Sequence, residues 1–505
     1  MVIHRPKDLC FSLFPETHNS MIQPDSTLTP GSLLTRIARL FDLSADKIRG
    51  IAAAFESLPG SPVFTVQGSY VGRDWTEWTE GFHHGSALLH YDATGEAWFL
   101  DWGRSKTAKR MAAHVTHTGV HDHGFNNVST YGNLLRLATE GKIEASEFEK
   151  HFYALALKAS GAVQAARWSL TSDGRGYIYS FNGVHSLFAD TIRSLRSLAI
   201  AHRLGHALRG ENDRRISLLE RLVQHAAVTA DFNVYYGEGR DAYDVRGRVA
   251  HESLFNPADG AYRCPSTQQG YSPFTTWTRA LAWIMCGYAE QLEFIETVPD
   301  PELDPLGGRG KIEGMMRRVA GTTCDYYLEQ AAADGIPYWD TGAPNLAKLG
   351  DWRNQPSDPF NAFEPVDSSA AAIAGQGLWR FGTYLNRISG HAGEYPILGA
   401  QGHVPLQPVT GHAGPGDQYR QAALTIAKTL FGPPYLSTDP HHQGLILHSV
   451  YHRPRGWDYI PPGSHVPCGE SSMWGDYHAR ELALLIQRAA NQETYLTFLN
   501  VKENG

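Results

Sequence analysis

The stretch TWTRALAWIMCGYAEQLEFIE, residues 276–296, is long, largely apolar and free of proline, and it predicts a helix. A helical period also governs a segment near the N-terminus, where the apolar positions are Leu33, Ile37, Leu40 and Phe41. Another helix is predicted to begin at Asp213 as its N-cap, with apolar positions at Ile216, Leu219, Val223 and Ala226.

Outward from these segments, helices are predicted over residues 132–160, 186–208, 312–334, 366–388, 418–430 and 475–491. Strand-like alternation is sparse. It suggests two hairpins, at 167–181 around Asp173-Gly174 and at 245–264 around Asp259-Gly260. No composition break forces a domain boundary, and the Pro/Gly-rich stretches 297–311 and 389–417 are predicted surface insertions. About a dozen helices in one chain favour an all-α helical barrel over a bundle.

The composition is that of a globular protein, with 505 residues, 42% hydrophobic and 19% charged. A net charge of −8 without a Lys/Arg run argues against nucleic acid as a partner. The five cysteines form no CxxC pair, which argues against a disulfide framework and fits a reducing compartment. We see no signal-peptide core and no membrane-length apolar run, so we expect a cytoplasmic protein without membrane contact.

The segment HVTHTGVHDHGF, residues 114–125, concentrates four histidines around Asp122. Zinc is one interpretation, because His117 and His121 have the i, i+4 spacing of helical zinc ligands. Thr118 and Gly119 between them weaken such a helix, so we favour the aspartate as the functional group and expect no metal. Gly124 lets the backbone turn beside this carboxylate. The alternative role for Asp122 is a helix cap.

Asp190 stands at the start of an apolar helical run, residues 190–199. A carboxylate in such a place is either paired or has a raised pKa. The functional interpretation is an active-site acid. The structural alternative is an ion pair with Arg193 or Arg196.

Several segments combine tryptophan with acids, amides and histidine, which is how sugar sites are built. Taken together they resemble the unsaturated glucuronyl hydrolases of glycoside hydrolase family 88, with family 105 as a related family. The resemblance runs from about residue 75 to about 490. The motifs occur in the same order: WTEGF (78–82), HDHGF (121–125), the helix start at Asp190, QGY (269–271), WTRALAW (277–283), PYWD (337–340), DSSAAAIA (367–374) and WGDYHARE (474–481).

The resemblance implies an (α/α)6 barrel of six helical hairpins, with long loops over the active-site end and a few short hairpins. Residues 71–505 would form this single catalytic barrel, and residues 1–70 an N-terminal extension packed on it. Asp190 and Asp122 correspond to the essential aspartates of the family. The positions that match its substrate-contacting residues are Trp78, His251, Gln269, Trp277, Arg279 and Trp283.

The family acts on a terminal uronic acid with a C4=C5 double bond, in oligosaccharides that a polysaccharide lyase has produced. By this resemblance Asp190 protonates C4 and then activates water, without a cofactor. Asp122 contacts the sugar hydroxyls and keeps the proton on Asp190. Arg279 and His251 offset the substrate carboxylate, and a forked pair of N–H groups suits the arginine to this role.

Two positions depart from the family pattern. The family has R-G-Q-A-W where this chain has R-A-L-A-W (279–283), and an asparagine where Ser194 follows Asp190. A hydrolase of saturated glucuronides therefore remains an alternative. So does a helical-barrel epimerase or polysaccharide lyase, although these rely on histidine or tyrosine bases. A non-enzymatic carbohydrate-binding scaffold is a third hypothesis. The expected partner is an oligosaccharide ending in an unsaturated uronate, and the expected state is a monomer or homodimer.

Overall fold

The computed structural model describes residues 22–58, 60–73, 78–390 and 414–501, and helices dominate these ranges. The helices are α1 Leu34–Ala54, α2 Glu80–Thr94, α3 Ala97–Arg110, α4 Ala112–Val115, α5 His123–Asn127, α6 Asn133–Thr139, α7 Glu147–Ala166, α8 Thr191–Ser194, α9 Arg196–Arg203, α10 Leu218–Phe232, α11 Thr278–Glu296, α12 Asp300–Leu303, α13 Arg309–Gln330, α14 Ser368–Ile388, α15 Asp417–Leu430 and α16 Met473–Ala490. The short strands are β1 Pro62–Val66, β2 Ser69–Gly72, β3 Trp168–Leu170, β4 Gly176–Ile178, β5 Ser186–Phe188, β6 Leu208–Arg209, β7 Arg215–Ile216, β8 Glu252–Phe255 and β9 Tyr262–Ser266.

The helices form two layers. In the inner layer α2 packs on α16, α16 on α14, α14 on α11, and α11 on α8. The segment from α5 to α6 closes this ring between α8 and α2. In the outer layer α3 covers α2, α7 covers α9, α13 covers α11 and α15 covers α14, while α1 contacts both α2 and α16. The described chain is therefore a helical barrel.

Helix α11, which contains most of the stretch 276–296, is the central inner helix. All its side chains from Thr278 to Ile295 are buried. Its neighbours come unusually close because glycines stand at the contacts. A Cβ on Gly287 would lie 2.7 Å from Ile192 Cγ2, and one on Gly377 would lie 2.8 Å from the backbone nitrogen of Cys286. Side chains at these points would push α8 or α14 away from α11.

Two predicted helices are interrupted in the structure. Segment 132–160 is divided into α6 and α7, because Gly141 adopts a φ of +69° and Ser146 with Glu149 forms a capping box that starts a new helix. Segment 186–208 is wrong at its start, since residues 186–188 form β5, which pairs with β8. The N-cap of α10 is Ser217, whose side chain accepts from Glu220 N, and not Asp213.

Both predicted hairpins are confirmed. Strands β3 and β4 pair around Asp173-Gly174, and β8 and β9 pair around Asp259-Gly260. Of the two predicted insertions, 297–311 contains the short helix α12, and most of 389–417 lies outside the described residues. In the described ranges, no helix has the length and apolar character that a bilayer crossing requires.

Candidate active site

Most inner helices begin at the same end of the barrel, and a cavity of about 330 Å³ opens there. Asp122 immediately precedes α5, Asp190 precedes α8 and Trp277 precedes α11. Seven of the eight predicted site residues line this cavity: Trp78, Asp122, Asp190, Gln269, Trp277, Arg279 and Trp283. The eighth, His251, lies behind the wall, with its ring 4.7 Å from those of Trp277 and Phe188. The structure thus brings together residues that are up to 205 positions apart (283 − 78).

A close approach of two helices places Asp122 beside Asp190. Ser194, one turn after Asp190, accepts a hydrogen bond from Gly124 N at 2.8 Å and donates one to the carbonyl of His121 at 2.7 Å. A Cβ on Gly124 would lie only 2.2 Å from the Ser194 carbonyl oxygen. The turn before α5 is therefore fastened to α8, and only glycine fits at position 124.

Neither aspartate has the structural role that the sequence left open for it, which was a helix cap for Asp122 and an arginine ion pair for Asp190. The Asp122 side chain forms no cap bond at the start of α5, and no residue of the described chain donates a hydrogen bond to its carboxylate. Arg193 pairs with Glu290 and Glu481 rather than with Asp190. The two carboxyl groups are largely buried, with side-chain exposures of 11% and 13%, yet they face the cavity.

His121 bridges the two acids. Its Nε2 lies 3.1 Å from Asp190 Oδ1, within hydrogen-bond distance, and 3.8 Å from Asp122 Oδ1. The ring stacks on Phe181 at a centroid distance of 6.0 Å, and Nδ1 has no hydrogen-bond partner among the described residues. Burial disfavours its charged form, but the charges of Asp122 and Asp190 raise the pKa of His121.

The two carboxyl groups differ in acidity, and the order is opposite to the expectation. Burial and the neighbouring Asp190 charge raise the pKa of Asp122. Burial also acts on Asp190, but the hydrogen bond and the charge of His121 lower its pKa. The expectation that Asp122 keeps a proton on Asp190 is therefore wrong for the free protein. The reason is that His121 bonds to Asp190 and not to Asp122.

Arg279 does not present a free fork to the cavity, which corrects a second expectation. Its Nη1 donates to Asp367 Oδ2 at 2.8 Å and to the Val450 carbonyl. Its Nη2 donates to the Tyr451 carbonyl at 2.8 Å and to Gln269 Oε1 at 3.0 Å. The guanidinium is 1% exposed and therefore organises the wall, holding Gln269 in place.

The remaining motifs also support the wall. Asp340 of PYWD accepts from Tyr271 N at 2.8 Å and from Gly342 N at 2.9 Å, which fixes the turn that carries Gln269. Burial raises the pKa of Asp340 to about 6. Burial lowers the pKa of His251, so its ring is neutral. Its Nδ1 accepts a hydrogen bond from Gln268 N at 3.1 Å, and the ring proton is therefore on Nε2.

The histidines of the segment 114–125 have protein partners. His114 Nε2 lies 2.9 Å from Glu80 Oε2, and His123 bonds to Ser160 Oγ and to the His117 carbonyl. Across the described ranges, no group of three or more His, Cys, Asp and Glu side chains is placed to hold a metal ion.

Sequence reasoning missed one part of the cavity wall. Tyr451, His452, Arg455 and Trp457 line the cavity beside the predicted residues. They come from the segment YHRPRGWDY (451–459), which is not part of the motifs that predicted the site. Its combination of arginine, tryptophan and aspartate around Pro-x-Gly is the signal that was available.

Comparisons with known proteins find similar enzymes and a similar fold, although no family model matches the chain. An unsaturated glucuronyl hydrolase of Formosa agariphila is 23% identical over 313 residues, which span 61% of this chain and 64% of that protein. One from Bacillus sp. strain GL1 is 24% identical over 439 residues, 84% of this chain and 90% of that protein. A crystal structure of the unsaturated glucuronyl hydrolase from Bacillus sp. GL1 matches with a TM-score of 0.61 at 20% identity, over 90% of this chain and 97% of that one. This likeness confirms the expected helical barrel.

Proposed function

We propose that this protein is an exo-acting hydrolase that removes a terminal 4,5-unsaturated uronic acid from lyase-generated oligosaccharides. The observation that carries the proposal is the acid pair: Asp122 and Asp190 face one tryptophan-walled cavity, and His121 lies between them. The similarity to unsaturated glucuronyl hydrolases supports the same function.

The cavity suits one flat sugar ring. Its volume of about 330 Å³ is at the small end of ligand sites, and Trp78 and Trp283 are among its walls. An unsaturated ring is a half-chair with a wide apolar face, and such faces pack on indole rings. One enclosed ring with its linkage directed outward corresponds to exo action.

The chemistry begins at the double bond, because C4=C5 and the ring oxygen form a vinyl ether. A proton added to C4 leaves positive charge at C5, shared with the ring oxygen. Water then adds to C5 and gives up a proton to a carboxylate. The resulting hemiketal opens to a C5 ketone, and the hemiacetal left at C1 collapses to an aldehyde and expels the aglycone alcohol. The anomeric carbon is not attacked directly, so the carboxylate-separation rule does not apply.

We assign Asp190 as the proton donor and then the acceptor from water. In the free protein the proton rests on His121, because the pKa of this histidine is raised. Its Nε2 then donates a hydrogen bond to Asp190 Oδ1. A bound substrate excludes water from the cavity. In a drier site the neutral pair, imidazole with carboxylic acid, is favoured over the ion pair, and the proton moves to Asp190. Asp122 binds the sugar hydroxyls.

The substrate carboxylate requires donors other than the Nη groups of Arg279, which are occupied. Gln269 accepts from Arg279 through Oε1, so its amide N–H groups are left to donate toward the cavity. His251 lies behind the wall, where its ring packs on Trp277 and its Nδ1 accepts from Gln268 N, so it positions the wall beside Gln269. We propose that Gln269 donates to the uronate, that His251 supports this wall from behind, and that Trp277 walls the ring beside Gln269.

The wider setting is also proposed. Residues 71–505 form the catalytic barrel and residues 1–70 an extension packed on it, and the contacts of α1 with α2 and α16 support this for the described part. The protein acts in the cytoplasm as a monomer or homodimer. In its described part, Cys264, Cys286, Cys324 and Cys468 are free thiols, which suits a reducing compartment.

The test is a panel of unsaturated disaccharides, followed by the loss of their ultraviolet absorbance. We expect wild type to consume at least one, and the variants Asp122→Asn and Asp190→Asn to lose about 10³-fold in kcat. Asp101→Asn, on the exposed side of α3, is the matched control. In heavy water the product gains one deuterium at C4. If a saturated aryl glucuronide is cleaved and no unsaturated disaccharide is, the vinyl-ether mechanism does not operate here.

A further inference from the structure

Asn126 is a polar side chain of the cavity wall to which the proposed chemistry gives no role. It lines the cavity and is 2% exposed. Its backbone N–H donates to the carbonyl of Asp122 at 3.1 Å, one turn earlier in the chain, so the two side chains lie on the same face of α5. Helix α2 packs closely here, because a Cβ on Gly81 would lie 2.4 Å from Asn126 Cα. The packing of α5 on α2 therefore fixes the position of Asn126.

The hydrogen bonds of the Asn126 side chain allow only one orientation of its amide. The backbone nitrogen of Gly81 can only donate, and it donates to Asn126 Oδ1 at 2.8 Å. The amide nitrogen Nδ2 therefore faces His114, with its Nδ1 at a distance of 3.0 Å. Because Nδ2 can only donate, His114 Nδ1 accepts this bond, and the ring of His114 carries its proton on Nε2.

Glu80 holds His114 in this tautomer. Its Oε2 lies 2.9 Å from His114 Nε2, and its Oε1 accepts from Arg110 Nε at 2.6 Å. Burial raises the pKa of Glu80, but the hydrogen bonds from His114, His84 and Arg110 outweigh burial and lower it, so the carboxylate is charged and accepts. A chain of hydrogen bonds with one direction thus connects Glu80 through His114 to Asn126.

This chain leaves one donor for the cavity. An amide nitrogen can donate two hydrogen bonds, and among the described residues only His114 accepts one from Asn126 Nδ2. On the same face of the helix, the Asp122 carboxylate can only accept. The two side chains therefore present one donor and one acceptor side by side. Two neighbouring sugar hydroxyls match such a pair, since each hydroxyl can both donate and accept.

We propose that Asn126 is a substrate-binding residue whose second amide N–H donates to one ring hydroxyl of the terminal sugar, while Asp122 accepts from the neighbouring hydroxyl. Glu80 and His114 are positioning residues, which hold the amide in the orientation that makes this N–H available. The inference rests on the proposed function and adds how the hydroxyls are recognised. A terminal unsaturated uronate has ring hydroxyls only at C2 and C3, and these are neighbours.

The test combines a protein variant with the removal of a substrate hydroxyl. Three aryl glycosides of the unsaturated uronate are compared: the parent, its 2-deoxy form and its 3-deoxy form. We expect wild type to lose about tenfold in kcat/KM on each deoxy form. Asn126→Leu keeps the shape of the side chain and removes its donor, and should lose about tenfold on the parent. In this variant one of the two hydroxyl deletions should cost at most about twofold more, because both changes remove the same hydrogen bond.

Two variants of His114 test the positioning role. His114→Asn keeps an acceptor oxygen near the place of Nδ1, and His114→Leu has no acceptor. We expect His114→Asn to keep most of the wild-type loss on both deoxy forms. In His114→Leu the loss on the form that identifies the Asn126 partner should fall to about twofold, because the amide is free to turn away from the sugar.

Asn133→Ala is the matched control, because Asn133 is a fully buried asparagine that donates to the Ser129 carbonyl at 2.8 Å and does not line the cavity. It should keep the wild-type loss on both deoxy forms. If Asn126→Leu does not fold, Asn126→Ala gives the same comparison. The proposal is overturned if both deletions cost the Asn126 variant as much as they cost wild type. If wild type consumes neither the parent glycoside nor any unsaturated disaccharide, the proposed function itself fails.

Discussion

Replacing Gly124 by alanine tests whether the contact between α5 and α8 sets the position of the acid pair. The new Cβ would lie 2.2 Å from the Ser194 carbonyl oxygen and 2.5 Å from Ser194 Cα. Ordinary contacts of this kind are about 3.3 Å or longer, so the two segments must separate by roughly 1 Å. A displacement of about 1 Å in a catalytic group costs about 10²-fold in rate. Overpacking of this size costs about 1–3 kcal/mol of stability.

We therefore expect Gly124→Ala to fold and to lose about 10²-fold in kcat, with a moderate fall in melting temperature. The assay is the absorbance decay of an unsaturated disaccharide, paired with a thermal melt of the same sample. Gly314→Ala is the matched control, since a Cβ there meets nothing within 4 Å on α13, and alanine favours a helix. A Gly124→Ala protein with wild-type kcat would refute the argument.

Three further predictions follow from the described contacts. In His121→Gln we expect kcat to fall and the alkaline limb of its pH profile to move at least about one pH unit toward acid, because a carboxyl group alone then holds the proton. An unshifted profile would show that His121 has only a structural role. Asp367→Asn leaves the buried charge of Arg279 without its partner at 2.8 Å, so a denaturant titration should show a loss of about 3–5 kcal/mol, with wild-type stability as the contrary result. The melting temperature should fall as pH drops from about 6.5 to about 4, because histidines of the unfolded chain bind protons in this range while the buried rings of the folded protein stay neutral. Calorimetry over that pH range measures this fall, and a melting temperature that does not change with pH would contradict the prediction. The rings concerned have a pKa lowered by burial to about 4: His90, His123, His448 and His452.

Local signals in the sequence were sufficient where the structure is local. The Asp-Gly turns of both hairpins were predicted because glycine adopts positive φ there. The sequence also contains a signal for the break between α6 and α7, since Ser146 and Glu149 have the spacing of a capping box. The strand at residues 186–188 could not be predicted from the local sequence, because β5 pairs with residues about 66 positions away. Pairing partners are not encoded locally.

The candidate site likewise has features that the sequence predicts and features that depend on contacts distant in the chain. The residue types and their order placed Asp122 and Asp190 together, and the structure finds them on one cavity. The acidity of each depends on which one His121 contacts, at 3.1 against 3.8 Å, and no spacing in the sequence encodes that difference. Arg279 finds its acceptors 88 and 171 residues further along the chain, so its occupied state could not be read from its own motif.

The shared direction of the inner helices has an electrostatic consequence. A helix start carries partial positive charge from backbone N–H groups without intrahelical partners, and the residues just before α2, α5, α8 and α11 line the cavity. The chain has an overall charge of −8, so we expect the positive potential of these helix starts to be local to the opening. We expect the acidic oligosaccharides of the proposed function to be drawn toward this opening, and their association rate should fall as ionic strength rises.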